Sequence, residues 1–218
     1  MKLFIDTANL ADIRAAADLG VLDGVTTSPA LLAKEGIHGT NATMAHYRAI
    51  CELVEGDVLA ELSSTDYEKM LSEGEVLADL HPNIVVQVPL SQPGLQAIKH
   101  FSKKYIRTNC ALVYSAGQAL LAAKAGATFV AIGVGPLDDT GADGLAVVAQ
   151  VVEIFANYGF VTEVLAANTR HVPHLTECAE LGADAAACPP AVFTNLLHHP
   201  LTEQGASTLR VDAKGIMS

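Results

Sequence analysis

Short apolar runs alternate with longer Ala- and Leu-rich segments along almost the whole chain. Short apolar runs favour buried strands, whereas apolar residues at helical spacing favour helices. The predicted strands cover residues 2–6, 23–27, 57–62, 83–88, 107–113, 128–132, 161–166 and 184–188. The predicted helices follow them, at about residues 7–20, 40–54, 66–79, 93–103, 115–126, 142–157, 171–181 and 190–197. No clear periodicity continues beyond about residue 200.

Eight consecutive strand–helix units predict a single α/β domain, a (β/α)₈ TIM barrel over residues 1–200 with a C-terminal tail over 201–218. A doubly wound open sheet is the alternative. No linker, low-complexity tract or charge block divides the chain.

Composition narrows the classes of function. Half of the 218 residues are apolar, and 13 basic against 24 acidic residues give a net charge of -11. This charge argues against a general nucleic-acid surface, although one Arg or Lys could still bind a phosphate. No apolar run is long enough for a membrane span, and the first residues do not resemble a secretory signal. We therefore expect a cytoplasmic protein, and its four cysteines, which have no C-x-x-C spacing, to be reduced thiols.

A barrel of this class carries its chemistry at the carboxyl ends of its strands. Two carboxylates, Asp6 and Glu61, end apolar runs there, so burial could raise their pKa and suit them to proton transfer. For Asp6, pairing with a neighbour or capping a helix is an equally supported interpretation. The other candidates at strand ends are Thr26 to Ser28, Gln87, Asn109 to Ala111, Gly133 to Pro136, Asn168 to Arg170, and Cys188.

Several of these candidates have alternative interpretations. Arg170 could hold a phosphate or carboxylate, but it could also be a surface residue where a helix begins. Residues 133–136 resemble a phosphate loop only loosely. His171, His174 and Glu177 have spacing that could bind a metal, yet a solvated helix face is favoured, so no metal or other cofactor is expected. Cys188 is expected to be a small buried residue.

Six segments in the same order give the chain a resemblance to a known family. They are Phe4 to Asn9, Gly24 to Pro29, Ile84 to Pro89, Tyr114 to Leu121, Leu137 to Asp139, and Pro189 to Val192. Together they resemble the small transaldolase and fructose-6-phosphate aldolase family over roughly residues 1–202. The resemblance implies a (β/α)₈ barrel that cleaves or forms a C–C bond through a Schiff base between a strand-four lysine and a ketose.

The resemblance places that lysine at Gln87. An amide cannot form the imine, because its nitrogen lone pair is delocalised into its own carbonyl. No other lysine lies in a matching motif, since Lys34 is expected in the loop after strand two and Lys124 in a helix.

Other positions divide into matches and departures. Asp6, Thr26, Glu61 and Arg170 match what the resemblance implies. The family usually has Asn at Ser28 for substrate hydroxyls, Thr at Ala111 and an aromatic at Gly133 for the catalytic water, and Arg at Pro136 and Ser at Asn168 for the phosphate. The family often ends in an aromatic helix that packs on a neighbouring subunit. Residues 205–210 contain no aromatic residue, so the resemblance leaves open whether the chain forms a homo-oligomer.

Three functions remain open. The favoured hypothesis is a rebuilt enzyme in which Asp6 and Glu61 transfer protons on a small hydroxycarbonyl or sugar-derived compound while Gln87 binds its carbonyl. Enolisation, isomerisation, dehydration or imine-free aldol chemistry would all fit. The alternatives are a catalytically silent homologue that binds a ligand or subunit, and the family reaction on sugar phosphates by another route.

Overall fold

The computed structural model describes residues 1–216, with side chains through residue 209. The strands are β1 Lys2–Asp6, β2 Gly24–Thr26, β3 Asp57–Glu61, β4 Ile84–Pro89, β5 Thr108–Val113, β6 Phe129–Gly133, β7 Glu163–Ala167 and β8 Ala185–Cys188. The helices are α1 Leu10–Ala17, α2 Pro29–Lys34, α3 Thr40–Leu53, α4 Tyr67–Ala78, α5 Gln92–Lys103, α6 Ala116–Ala125, α7 Val134–Asp139, α8 Gly144–Tyr158, α9 Val172–Glu180, α10 Pro190–Asn195 and α11 Pro200–Ile216.

The eight strands form one closed parallel barrel in chain order, and β8 pairs with β1 to close it. Helices lie between consecutive strands, so the predicted (β/α)₈ TIM barrel is confirmed and the open-sheet alternative is wrong. Closure brings the carboxyl ends of all strands to one end of the barrel, which is where barrels of this kind carry their sites.

Large side chains fill the lower barrel interior. Phe4, Leu59, Val85, Phe129 and Leu165 are at most 1 % exposed and form one apolar cluster. The rings of Phe4 and Phe129 meet edge to face, with centroids 5.9 Å apart. A larger apolar cluster lies between the strands and the surrounding helices. The inner cluster therefore closes the barrel from below and leaves room only near the carboxyl ends.

Three helices were not predicted from the sequence. Helix α2 begins where Ser28 accepts a hydrogen bond from the Leu31 N–H and Pro29 takes the first helical position, so Lys34 ends a helix and is not in a loop. Residues 133–136, which resemble a phosphate loop only loosely, belong to the end of β6 and the short helix α7.

The third helix, α11, covers most of the segment in which no periodicity was found. Its side chains through residue 209 are all exposed, including Leu201 and Leu209. From residue 200 to residue 209 the helix therefore has no buried face that would impose a period on its sequence. Residues 217 and 218 of the predicted tail lie outside the described residues. Within residues 1–216, no helix combines the length and apolar character that crossing a membrane requires.

Candidate active site

The alternation of side chains along each strand builds the site. Phe4, Leu59 and Val85 point into the apolar cluster, and two residues later Asp6, Glu61 and Gln87 reach the layer above it. A cavity of about 260 Å³ lies there. It is lined by Asp6, Thr26, Thr27, Ser28, Glu61, Gln87, Ala111, Leu112, Tyr114, Ala131, Gly133, Leu165, Ala167, Asn168 and Ala187. The fold thus brings most of the sequence-predicted residues around one cavity.

Asp6 lies opposite Thr26 on the neighbouring strand β2. The Thr26 hydroxyl donates a 2.7 Å hydrogen bond to Asp6 Oδ1. Burial raises the pKa of the Asp6 carboxyl, although this hydrogen bond and the positive charge of Lys34 counteract part of the effect. Asp6 therefore pairs with a neighbour and also lines the cavity, so the two interpretations of this residue are not exclusive.

Glu61, Gln87 and Asn109 lie side by side on β3, β4 and β5. Asn109 is fully buried and donates a hydrogen bond of 2.8 Å from Nδ2 to Gln87 Oε1. Because Gln87 Oε1 accepts from Asn109, Gln87 Nε2 is left on the side of Glu61, its partner on β3. Asn109 does not line the cavity, and it contacts the site only through its hydrogen bond to Gln87.

The environment of Glu61 raises the pKa of its carboxyl. Burial raises the pKa of the Glu61 carboxyl, the hydrogen bond from Gln87 lowers it, and the negative charge of Asp6 raises it again, with a net increase. Its backbone N–H donates a 3.2 Å hydrogen bond to the hydroxyl of the buried Tyr47, which fixes the end of β3. A carboxyl with a raised pKa beside an amide is suited to accept and return a proton.

The end of β5 differs from a regular strand. Its register with β6 shifts between Cys110 and Val113, and within this bulge Leu112 has a φ of 60° and is 53 % exposed. Bulges at barrel rims change the direction of side chains. Here the bulge brings Leu112 to the cavity, while Ala111 presents only a methyl group.

Asn168 lines the cavity, but Arg170 and Pro136 do not. Both terminal nitrogens of Arg170 bond to Asp139, each at 2.5 Å. This pairing lowers the pKa of Asp139. The Arg170 side chain is half exposed, as in the surface interpretation. A Cβ on Gly135 would lie 2.7 Å from the Asn168 backbone oxygen and 2.7 Å from Arg170 Nε, so a side chain at this position would collide with both.

The histidine cluster on α9 has structural contacts. The His171 side chain accepts a hydrogen bond from the His174 N–H and caps the helix, and His174 Nε2 lies 3.3 Å from Asp138. Burial lowers the pKa of His174, and the neighbouring His171 lowers it further. Across residues 1–216 no group of three or more His, Cys, Asp or Glu side chains is arranged to hold a metal.

Cys188 is 1 % exposed, and burial together with the charge of Asp6 raises the pKa of its thiol to about 12. At neutral pH this cysteine is therefore a protonated thiol and a poor nucleophile. It contributes packing at the end of β8.

Sequence reasoning missed Leu112, Tyr114 and the small apolar residues of the wall. Ala131, Leu165, Ala167 and Ala187 could have been found by counting in steps of two along strands 6 to 8. Tyr114 directly follows a predicted strand, which is a usable signal. Leu112 could not be found that way, because it faces the cavity only through the bulge.

Comparison with known proteins identifies the family of the chain. The family model described as Transaldolase/Fructose-6-phosphate aldolase matches residues 3–216. A probable transaldolase of Cytophaga hutchinsonii is 56 % identical over 216 residues, which cover 99 % of each chain. A probable transaldolase of Porphyromonas gingivalis is 56 % identical over 99 % of this chain and 98 % of its own. One from Bacteroides thetaiotaomicron is 55 % identical over 99 % of both chains. The chain belongs to the transaldolase/fructose-6-phosphate aldolase family.

Proposed function

We propose that this family member is an enzyme that moves protons on a small hydroxycarbonyl compound without a covalent imine. Family membership supports an enzyme of the transferase or lyase kind. The observation that carries the finer proposal is the position of Gln87. This amide lies between Glu61 and Asn109 in the wall of the cavity, at the place where the family resemblance implies the imine lysine.

Glu61 acts as the base in this proposal. Its carboxylate removes a proton from the carbon next to the ligand carbonyl, and the C–H electron pair becomes the C=C bond of an enolate. The carbonyl π electrons move to oxygen, where a Gln87 Nε2–H donates a hydrogen bond to the developing negative charge. Return of a proton to the same carbon completes solvent exchange. Delivery of the proton to the former carbonyl carbon, while Asp6 moves the hydroxyl proton from one ligand oxygen to the other, completes isomerisation.

Asp6 is the second proton-transfer group. It lines the same cavity. Burial raises the pKa of its carboxyl, so Asp6 keeps its proton to higher pH than an exposed Asp does. Thr26 holds Oδ1 in place through its 2.7 Å hydrogen bond. Asp6 is thereby positioned to exchange a proton with a ligand hydroxyl while Glu61 acts on carbon.

The polar groups around the cavity favour a ligand without a phosphate. Arg170 is outside the cavity wall and paired at both terminal nitrogens with Asp139. Pro136 supplies no charge, and Asn168 supplies a neutral amide at the wall. We therefore propose a small polyhydroxylated ketone or aldehyde as the substrate class, with Ser28, Asn168 and Thr26 near its hydroxyl groups.

Solvent exchange tests this reaction directly. In D₂O, proton NMR should detect deuterium incorporation at carbons next to the carbonyl of hydroxyacetone, dihydroxyacetone or unphosphorylated ketoses. Glu61→Gln should abolish exchange because the amide is not a base, whereas Glu153→Gln on the exposed face of α8 should retain it. Absence of exchange with every compound of the panel would reject the proposal and favour the silent homologue that binds a ligand or partner.

The family reaction on sugar phosphates is a second candidate, because the similar proteins are named probable transaldolases. Borohydride reduction in the presence of fructose 6-phosphate or dihydroxyacetone distinguishes it. Under our proposal the intact protein shows no added mass after reduction. A covalent adduct would instead mean that another amine performs the family chemistry.

A further inference from the structure

The ring of Tyr114 occupies the space that a side chain at position 133 would need, beside the cavity. Tyr114 directly follows β5, and Gly133 ends the adjacent strand β6. A Cβ on Gly133 would lie 2.6 Å from Tyr114 Cε1 and 3.3 Å from Cδ1. The φ of Gly133 is -76°, which any residue adopts. Glycine is therefore needed here for the space that the tyrosine ring occupies, and not for its backbone freedom.

The backbone around Tyr114 is held in place. Its N–H donates a 2.8 Å hydrogen bond to Gln118 Oε1, and Ser115 caps helix α6. The bulge that contains Leu112 lies directly before it. These contacts hold the Tyr114 backbone in place. The ring therefore lies against Gly133 because its backbone is fixed there, and not only because the ring is partly buried.

The Tyr114 ring lines the cavity and is 38 % exposed, so it borders both the cavity and solvent. Among the described residues, its hydroxyl makes no hydrogen bond to another protein group. A neutral phenol is a hydrogen-bond donor and acceptor, and the surrounding wall residues Ala111 and Ala131 are apolar. Tyr114 therefore carries a hydroxyl at a part of the wall where the neighbouring residues Ala111 and Ala131 have only methyl groups.

We propose that Tyr114 is a specificity-determining residue that hydrogen-bonds an oxygen of a hydroxycarbonyl ligand, and that Gly133 is glycine to admit its ring. The ligand class rests on the proposed function. The packing of the two residues does not depend on that function and can be tested separately.

A thermal-unfolding cycle tests the packing without any ligand. Gly133→Ala should lower the melting temperature when Tyr114 is present, because the methyl group and the ring compete for one space. In a Tyr114→Ala background the same change should have little effect. Equal effects in the two backgrounds would reject the mutual exclusion of the two side chains.

Ring-labelled tyrosine NMR tests the ligand contact. The chain has five tyrosines, and Tyr114→Phe identifies the Tyr114 signal by its loss. Titration with dihydroxyacetone should shift this signal and leave that of the exposed Tyr158 unchanged. An unshifted Tyr114 signal overturns the proposed contact. A shifted signal in a protein that catalyses no exchange supports the contact and rejects only the proposed reaction.

Where exchange is measured, Tyr114→Phe should reduce kcat/KM by about tenfold through loss of one hydrogen bond. The pH dependence of kcat/KM should stay unchanged, because the proposed base is Glu61 and not Tyr114. Tyr158→Phe is the matched control and should have no effect. An unchanged kcat/KM in Tyr114→Phe would contradict the assignment of the hydroxyl as a ligand contact.

Discussion

Asn109 Nδ2 lies 2.8 Å from Gln87 Oε1, and this contact decides which end of the Gln87 amide faces Glu61. Asn109, a buried side chain outside the cavity wall, therefore orients the Gln87 amide in the proposed site. Asn109 Oδ1 itself has no hydrogen-bond partner within the described residues, although it is buried. A buried polar atom without a partner is unfavourable, so this residue is better explained by its contact with Gln87 than by its own packing.

Asn109→Ala should therefore reduce exchange activity more than stability. Loss of one buried hydrogen bond should lower the free energy of unfolding by only about 1 kcal/mol. The cost is small because the substitution also removes the buried Oδ1 that has no partner within the described residues. The exchange rate should fall at least about tenfold as the Gln87 amide becomes free to rotate. Urea unfolding and NMR exchange measure the two effects, and Asn157→Ala on the exposed side of α8 serves as the control. Unchanged exchange would show that Asn109 does not orient Gln87.

The raised pKa of Glu61 predicts how both activity and stability depend on pH. The folded protein retains the Glu61 proton to higher pH than the unfolded chain does. The contribution of this proton to stability is therefore complete below the pKa that Glu61 has in the unfolded chain. It is lost as pH rises through the folded pKa. Relative to wild type, Glu61→Gln should thus become more stable as pH is raised across that window. Exchange should increase over the same window in wild type, because only the carboxylate is a base.

Urea unfolding of wild type and Glu61→Gln from acidic to neutral pH measures this difference. Glu153→Gln should show no such change relative to wild type, since its carboxyl is exposed on α8. A stability difference that stays constant with pH would contradict the proposed burial of a titrating carboxyl at Glu61.

The barrel was predictable from the sequence because each strand and helix has its own local signal. The same two-residue period that buries Phe4, Leu59 and Val85 also places Asp6, Glu61 and Gln87 at the cavity. The sequence predicted Asp6, Glu61 and Gln87 from their position at strand ends, and the alternation of side chains along a strand explains the apolar layer beneath them. The family was identified from motifs that lie at these strand ends, and the match over residues 3–216 confirms it.

The remaining features depend on contacts between distant residues. The pairing of Arg170 with Asp139 joins side chains 31 positions apart, and no spacing rule indicates it. The orientation of Leu112 depends on a bulge, and the room for Tyr114 depends on a missing side chain at Gly133. Helix α11 was not predicted because all of its side chains from residue 200 to residue 209 are exposed, and no buried stripe marks that part of the helix.

Asp139→Asn should increase the affinity for phosphate. The wild-type carboxylate bonds to both terminal nitrogens of Arg170, and the amide cannot compete with a doubly charged anion for the guanidinium. We expect inorganic phosphate or fructose 6-phosphate to bind about tenfold more tightly by isothermal titration calorimetry. Asp18→Asn removes the same charge at the carboxyl end of α1, away from Arg170, and should have little effect. Unchanged phosphate affinity in Asp139→Asn would mean that the pairing does not restrict Arg170.

Gln87→Lys should not restore full aldolase activity. The new ammonium would lie beside the Glu61 carboxylate on the neighbouring strand, and this negative charge stabilises its charged form. A charged amine is not a nucleophile, so imine formation should be slow at neutral pH and rise as pH increases. Ala111 and Gly133 also offer no polar side chain to handle the water of the imine steps. Cleavage of fructose 6-phosphate and borohydride trapping measure the two quantities, with Gln87→Met as the control that lacks an amine. Robust cleavage from this one substitution would show that the other departures around the cavity matter little, and that Gln87 alone separates this protein from the family reaction.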